Sequence, residues 1–165
     1  MNQLYAEVGV KRKETAATML LRVLMIFGII VGVLLLFLGS FFTFIGVAIA
    51  LVMLFLLPKL NVEYEYIFVD GEIDFDRITS KSKRKTMLSI DMEQIEIVAK
   101  IGSHALDSYN NGQYIVKDFS SRDTNSKPHI IIANVEDKRY KIAFEPNEKF
   151  LSSMKQKSPR KISQI

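Results

Sequence analysis

The sequence predicts an α+β membrane protein in which an N-terminal transmembrane helical hairpin precedes an antiparallel β domain with a C-terminal capping helix. An apolar segment of 35 residues runs from Val23 to Leu57. Apolar and polar residues then alternate after Pro58, and a helical pattern follows Pro146. The expected divisions are an N-terminal segment with a membrane anchor over 1–58, a cytoplasmic domain over 59–157 and a basic tail over 158–165.

The 35-residue apolar segment is interrupted only by glycines and by the hydroxyls of Ser40 and Thr43. One helix of that length would reach roughly 50 Å, well beyond the bilayer core of about 30 Å. A division at Gly39 gives two spans, about 20–38 and 41–57, which predict a hairpin. One long tilted helix is an alternative. A soluble core helix is excluded, because 165 residues cannot cover so long an apolar segment.

The charges beside the spans predict their orientation. Lys11, Arg12, Lys13 and Arg22 precede the first span and Lys59 follows the second, whereas the hairpin tip carries no charge. Positive flanks stay on the cytoplasmic side, so we expect a multi-pass plasma membrane protein with both termini in the cytoplasm. The absence of cysteine is compatible with a reducing compartment.

Small residues recur at helical spacing in both spans. Gly28 and Gly32 are four residues apart in the first, as are Gly46 and Ala50 in the second. This spacing predicts a strip for close helix packing, although glycine is also common in membrane helices generally. No acidic residue, lysine or histidine lies deep in either span, so we do not expect the hairpin alone to transport a solute.

The segment after Pro58 reads as a series of short strands. Tyr64, Tyr66 and Phe68 alternate with acidic residues, and Asp70-Gly71 is a strong signal for a tight hairpin. Further strand-like stretches are 86–90, 95–101, 114–119, 129–135 and 139–144. Seven strands, nearly all antiparallel by loop length, followed by an amphipathic helix of about three turns, form the outline of a pleckstrin-homology (PH) fold.

A family resemblance accompanies this outline. A short basic N-terminus, two spans and the segments VEYEYIFVDGEIDFDRI, RKTMLSIDMEQIEIVA and FEPNEKFLSSMKQKSPRKI resemble an uncharacterised family of small bacterial membrane proteins. The resemblance covers nearly the whole chain and implies a bacterial PH-like cytoplasmic domain without supplying an activity. Lipid-binding PH domains hold headgroups with basic residues at the turn between their first two strands. Here we expect that turn to be Asp70-Gly71 followed by Glu72, a departure from the pattern.

The densest basic cluster of the domain surrounds a predicted loop and consists of Arg77, Lys81, Lys83, Arg84 and Lys85. We name these five residues the basic cluster. Each cation near an anionic leaflet contributes about 1 kcal/mol, so the cluster is a candidate contact for anionic lipid. The alternative is a solvated loop whose charges balance the neighbouring acidic hairpin.

Four carboxylates are expected on one face of the first predicted hairpin, because a two-residue turn places Glu65 opposite Asp76, beside Glu63 and Asp74. Opposed like charges destabilise a sheet, so Arg84 and Lys85 on the next strand are expected to neutralise them. A divalent metal site is the alternative, but no calcium-loop spacing accompanies these residues.

Recognisable catalytic and metal-binding motifs are absent from the sequence. The two histidines, His104 and His129, lack ligand spacing, and there is no nucleophile elbow or phosphate-binding glycine loop. We therefore expect no enzyme, no cofactor and no metal. Residues 58–165 carry 18 basic and 16 acidic residues, a balance that does not favour nucleic acid as a partner.

These observations predict a non-enzymatic module that is anchored in the lipid bilayer. Its cytoplasmic surface would bind a protein partner or the membrane, in a scaffold, adaptor or regulatory role. The alternative is an auxiliary subunit of a membrane transporter or envelope enzyme, docked through the transmembrane hairpin. A homo-oligomer is compatible with either prediction.

Overall fold

The structure is a computed structural model, which describes residues 4–80 and 82–163. The chain divides into two compact units. The β unit comprises Met1–Arg12, Glu63–Ile78 and Arg84–Ile165, and the helical unit comprises Lys13–Val62 and Thr79–Lys83. The strands are β1 (Tyr5–Lys11), β2 (Val62–Val69), β3 (Glu72–Thr79), β4 (Lys83–Asp91), β5 (Ile95–Lys100), β6 (Ile115–Asp118), β7 (His129–Val135) and β8 (Lys138–Phe144). The helices are α1 (Ala16–Leu35), α2 (Ser40–Leu56) and α3 (Glu148–Lys157).

The strands form two four-stranded sheets. Sheet A has the order β1-β2-β3-β4, and sheet B has the order β5-β7-β8-β6. All seven strands expected from the sequence are present. The sequence predicts that nearly all strands are antiparallel, and β6 is an exception in sheet B: it runs parallel to β8 with Ile115 opposite Tyr140. Strands β6 and β8 are not joined directly, because β7 lies between them in the chain, so this parallel pair needs no short turn.

Strand β1 is an eighth strand that the sequence analysis missed. It pairs antiparallel with β2 from Tyr5 opposite Val69 to Lys11 opposite Glu63, and Ala6 is fully buried. The sequence analysis placed these residues in the N-terminal segment before the membrane anchor, whereas in the structure they belong to the β unit. The pattern was easily overlooked, because β1 has few large apolar residues and its partner follows only after the whole apolar segment. Both helices are thus inserted between two neighbouring strands of one sheet.

The apolar segment forms the expected pair of helices. Helix α1 begins four residues earlier than expected, because Thr15 caps it by accepting a hydrogen bond from the Thr18 amide (3.3 Å). The chain then turns at Gly39, whose φ of 107° favours glycine, and continues as α2. Two helical segments, Ala16–Leu35 and Phe41–Leu60, are long and apolar enough to cross a membrane. Only 6 % of each is buried, unlike a core helix of a soluble protein.

Aromatic side chains from both sheets and from α3 form the core of the β unit. The Tyr66 ring of sheet A lies 5.7 Å from Phe144 of sheet B and 6.4 Å from Phe150 of α3. The expected C-terminal helix is present, and Asn147 caps it by accepting a hydrogen bond from the Phe150 amide (2.8 Å). Phe150 and Met154 are fully buried, so α3 closes the core.

The basic tail is ordered as far as it is described, up to residue 163. The Val98 amide of β5 donates to the Lys161 carbonyl (2.8 Å), and the Ser163 amide donates to the Val98 carbonyl (2.9 Å). These bonds make Ile162 a parallel bridge partner of Val98. We name residues 158–163 the strap. Its polar composition is typical of disordered segments, but backbone pairing to a sheet edge requires no apolar side chain.

Candidate functional site

The two ends of sheet A carry different connections between strands. Neighbouring strands joined by two or three residues are antiparallel, so successive connections alternate between the two ends of the sheet. The β2–β3 turn at Asp70-Gly71 lies at one end. At the other end lie the β3–β4 turn and the two points, Lys11 and Glu63, between which the helices are inserted. We name this second end the insertion end.

This topology corrects the comparison with lipid-binding PH domains. Asp70 and Gly71 both have positive φ, 49° and 116°, as the expected tight turn requires. Because β1 precedes β2, however, this turn joins the second and third strands of the sheet. The connection between the first two strands is the helical hairpin itself. The acidic turn is therefore no argument against a lipid-facing role for the insertion end.

The members of the basic cluster occupy different environments. Arg77 on β3 is half-buried, and its Nε is buried with no hydrogen-bond partner among the described residues. Lys81 lies outside the residues that the structure describes. Lys83, Arg84 and Lys85 are exposed at the start of β4, the last strand in the order of sheet A. Lys83 and Lys85 form no ion pair within the described part of the chain.

Arg84 joins two of the four acidic side chains of the hairpin. Its Nη2 forms an ion pair with Glu65 on β2, and its Nε lies 3.5 Å from Asp76 Oδ2 on β3. The Asp76 side chain is only 5 % exposed, so this neighbouring guanidinium offsets a buried negative charge. The prediction that Arg84 neutralises this face is confirmed, whereas no such contact involves Lys85. Within the described residues, no group of three or more side chains suits a metal ion.

The small residues of the two helices face one another. A Cβ atom built on Gly32 would lie 2.9 Å from the Gly46 carbonyl oxygen and 3.3 Å from the Ala50 Cβ. A Cβ atom built on Gly46 would overlap the Gly32 carbonyl oxygen. Gly28 instead faces the flexible side chain of Met53, at 3.4 Å. The strip is thus used for packing within the hairpin.

Arg22 ties together the open end of the helical hairpin. Its Nη2 lies 2.5 Å from Glu14 Oε1, before α1, and donates to Asn61 Oδ1 (2.9 Å), after α2. Arg22 therefore connects the segment before α1 to the segment after α2. The sequence does not predict this contact, because Asn61 is 39 residues from Arg22 and no local spacing relates them.

Four ionisable groups of the β unit have shifted pKa values among the described residues. The pKa of the exposed Tyr5 phenol is raised, chiefly by its hydrogen bond to Glu7. Burial raises the pKa of the Tyr66 phenol, which donates to the Phe119 carbonyl, and burial with the nearby Lys100 lowers the pKa of His129. Burial opposes ionisation of Asp118, but hydrogen bonds from Ser120 and Arg122 outweigh it and lower the pKa of that carboxyl. Each shift has a structural cause, and none of these groups lines either described cavity.

The described cavities lie beside sheet B. One, of about 460 Å³, is lined by the 100–105 segment and Ser163. The other, of about 150 Å³, lies beneath the 3₁₀ helix His104–Tyr109 and is lined by Asp107, Asn110 and Lys141 among apolar residues. His104 is fully exposed, and its Nδ1 lies 3.2 Å from Asp107 Oδ2.

Two four-stranded sheets around an aromatic core, closed by a C-terminal helix, define a PH-like domain. The chain matches the bacterial PH-like domain family DUF6106 over residues 2–164. It therefore belongs to that family, and the resemblance found in the sequence is confirmed. The match includes the apolar helices as well as the β unit. Searches among curated proteins and among solved structures give no significant match.

Proposed function

We propose that this chain is a non-enzymatic PH-like binding module, anchored in the plasma membrane by α1 and α2 with both termini in the cytoplasm. Its role is that of a scaffold, adaptor or regulatory subunit that presents a surface to the membrane or to a protein partner. The proposal rests on the family, on the two exposed apolar helices and on the insertion end of sheet A.

The observation that carries the proposal is the insertion of the helices between paired strands. Lys11 opposite Glu63 keeps the two ends of the hairpin on neighbouring strands, so two spans return the chain to the side from which it left. The 20 residues of α1 extend about 30 Å, the thickness of a hydrocarbon core. Exposed aromatic rings near the tip, including Phe37 at 84 %, fit an apolar solvent better than water.

The insertion end is the surface that we assign to anionic lipid. Lys83 and Lys85 of the basic cluster are exposed at the start of β4, at this end of sheet A. Two such lysines near an anionic leaflet contribute about 2 kcal/mol together, enough to bias the orientation of a domain that is already tethered. Arg84 is excluded from this estimate because its charge is used by Glu65 and Asp76.

The test uses the absence of cysteine, which allows one label per chain. A fluorophore is attached at Ser82→Cys, which leaves both lysines in place, or at the matched control Glu72→Cys at the opposite end of sheet A, in nanodiscs carrying headgroup-linked quenchers. We expect stronger quenching at position 82, with a further increase when phosphatidylglycerol replaces part of the phosphatidylcholine. Equal quenching at both positions, insensitive to lipid charge, contradicts the lipid assignment.

Orientation is tested separately, with two reporters fused after Ile165. A fluorescent protein that folds in the cytoplasm should be active, and a phosphatase that folds only outside should be inactive. The opposite result contradicts the cytoplasmic placement of the β unit. Neither outcome depends on lipid charge, so anchoring and lipid contact are tested independently.

A further inference from the structure

The outer edge of β5 carries a backbone contact that the proposed function does not use. In sheet B, β5 pairs with β7 on one side, where Val98 lies opposite Ile131. Its other edge would present unpaired amide and carbonyl groups, but the strap covers it at Val98. Both polar backbone atoms of Val98 are satisfied by the strap, through Lys161 and Ser163.

The strap is held by one side chain as well as by its backbone. Lys161 Nζ donates to the carbonyl oxygens of Met92 (2.7 Å) and Glu93 (2.9 Å). Those carbonyls belong to the 3₁₀ turn Met92–Gln94, immediately before β5. Two carbonyl oxygens converging on one ammonium group form a small cation-selective position beside the strand edge. Backbone bonds to Val98 accept any extended segment, whereas this position selects a basic residue.

The edge extends beyond the strap contact. The cavity of about 460 Å³ begins at Ser163 and follows the chain from the end of β5 through Lys100–Ala105. Ile101 is exposed there, and the adjacent Gly102 has a φ of 81°. Space therefore lies along the direction in which a segment paired with Val98 would continue.

We infer that the outer edge of β5 is a binding site for an extended basic segment of a partner protein, and that the strap occupies this site in cis. The partner segment pairs with Val98 in parallel and places a lysine or arginine on the Met92 and Glu93 carbonyls. Strap and partner exclude one another because both use the same two backbone atoms. The inference goes beyond the proposed function, since it concerns sheet B and does not require membrane contact.

A tethered strap competes strongly with any free segment. Its first residue directly follows α3, so its effective concentration at Val98 is on the order of millimolar or higher. A short free peptide gains only a few hydrogen bonds and is expected to bind weakly. Binding is therefore best observed in a chain whose own strap has been loosened.

The experiment measures amide hydrogen exchange at Val98 in the full chain. Ser163→Pro removes the amide that donates to Val98, and Lys161→Ala removes the ammonium group. Each variant should exchange at Val98 at least about tenfold faster than the unaltered chain, with exchange at Ile131 and Ile142 unchanged as the control for folding. The probe is a capped synthetic peptide with the sequence of residues 158–163, SPRKIS, at about 5 mM.

The probe should restore slow exchange at Val98 in both variants and leave the unaltered chain unchanged. The same peptide with Lys161→Glu should not restore it. Failure of SPRKIS to restore slow exchange, or equal protection by the glutamate peptide, overturns the inference. Protection of the variants by added unaltered chain, without peptide, would identify a second copy as the occupant and overturn the assignment to a partner protein.

Discussion

Close contact between α1 and α2 leads to a sharp prediction for two glycines. An alanine Cβ at Gly32 would lie 2.9 Å from the Gly46 carbonyl oxygen, whereas ordinary contact begins at 3.4 Å. Alanine at Gly46 would overlap the Gly32 carbonyl oxygen and lie 3.0 Å from the Leu35 Cβ. In both variants the obstructing atom is backbone, which cannot rotate away. The helices must therefore separate by about 0.5 Å or more.

The energetic cost follows from that separation. A gap of about 0.5–1 Å removes a quarter to a half of each contact energy of about 0.1–0.2 kcal/mol. Many atom pairs along the crossing are affected, and added methyl groups in packed interiors typically cost about 1–3 kcal/mol. We expect this range for Gly32→Ala and the upper part of it for Gly46→Ala.

The assay follows separation of the helices during titration with sodium dodecyl sulfate. Fluorophores at Leu20→Cys and Leu54→Cys, both exposed positions, report energy transfer between α1 and α2. Gly28→Ala is the matched control, because its new methyl group would meet the Met53 side chain at 3.4 Å, an ordinary contact. The reasoning is refuted if Gly46→Ala and Gly28→Ala separate at the same detergent fraction.

Three further predictions concern the β unit. Arg84→Ala should lower the free energy of unfolding in urea by about 1–2 kcal/mol, because the buried Asp76 loses its counter-charge. The loss is limited because Arg84 is itself 51 % exposed. The control Lys85→Ala should change the free energy of unfolding by less than about 0.5 kcal/mol. Tyr66→Phe should cost about 1–2 kcal/mol in the same titration, since a buried carbonyl loses its donor; no loss would show that the bond is dispensable. The pKa of folded His129 lies below its unfolded value of about 6.5, so the melting temperature should fall on acidification below that pH, and His129→Gln should reduce the slope.

Local signals accounted for much of the fold. The uninterrupted apolar segment predicted the helices, and Asp70-Gly71 predicted the tight turn, because both patterns act over neighbouring residues. The Arg84 contact was also predictable, since a two-residue turn fixes the register of the acidic face. Each of these features depends on residues close in sequence or on one hairpin.

The features that escaped prediction depend on distant pairing. Strand β1 meets β2 only across the apolar segment, and the strap meets Val98 from more than 60 residues away. Neither segment has an apolar pattern strong enough to predict a strand. Sequence spacing also suggested helix packing at Gly32 without identifying Gly46 as the opposing residue, because the crossing point of two helices is set in three dimensions.

The insertion of the helices within sheet A has a consequence for biosynthesis. During translation, β1 emerges about 50 residues before β2, so it remains unpaired while both apolar helices are synthesised. If only one helix entered a bilayer, β1 and β2 would be left on opposite sides of it and the register from Tyr5 to Lys11 could never form. If the helices enter a bilayer, closure of the sheet therefore requires an even number of crossings, and a chain inserted wrongly would expose an unfolded domain to quality-control proteases.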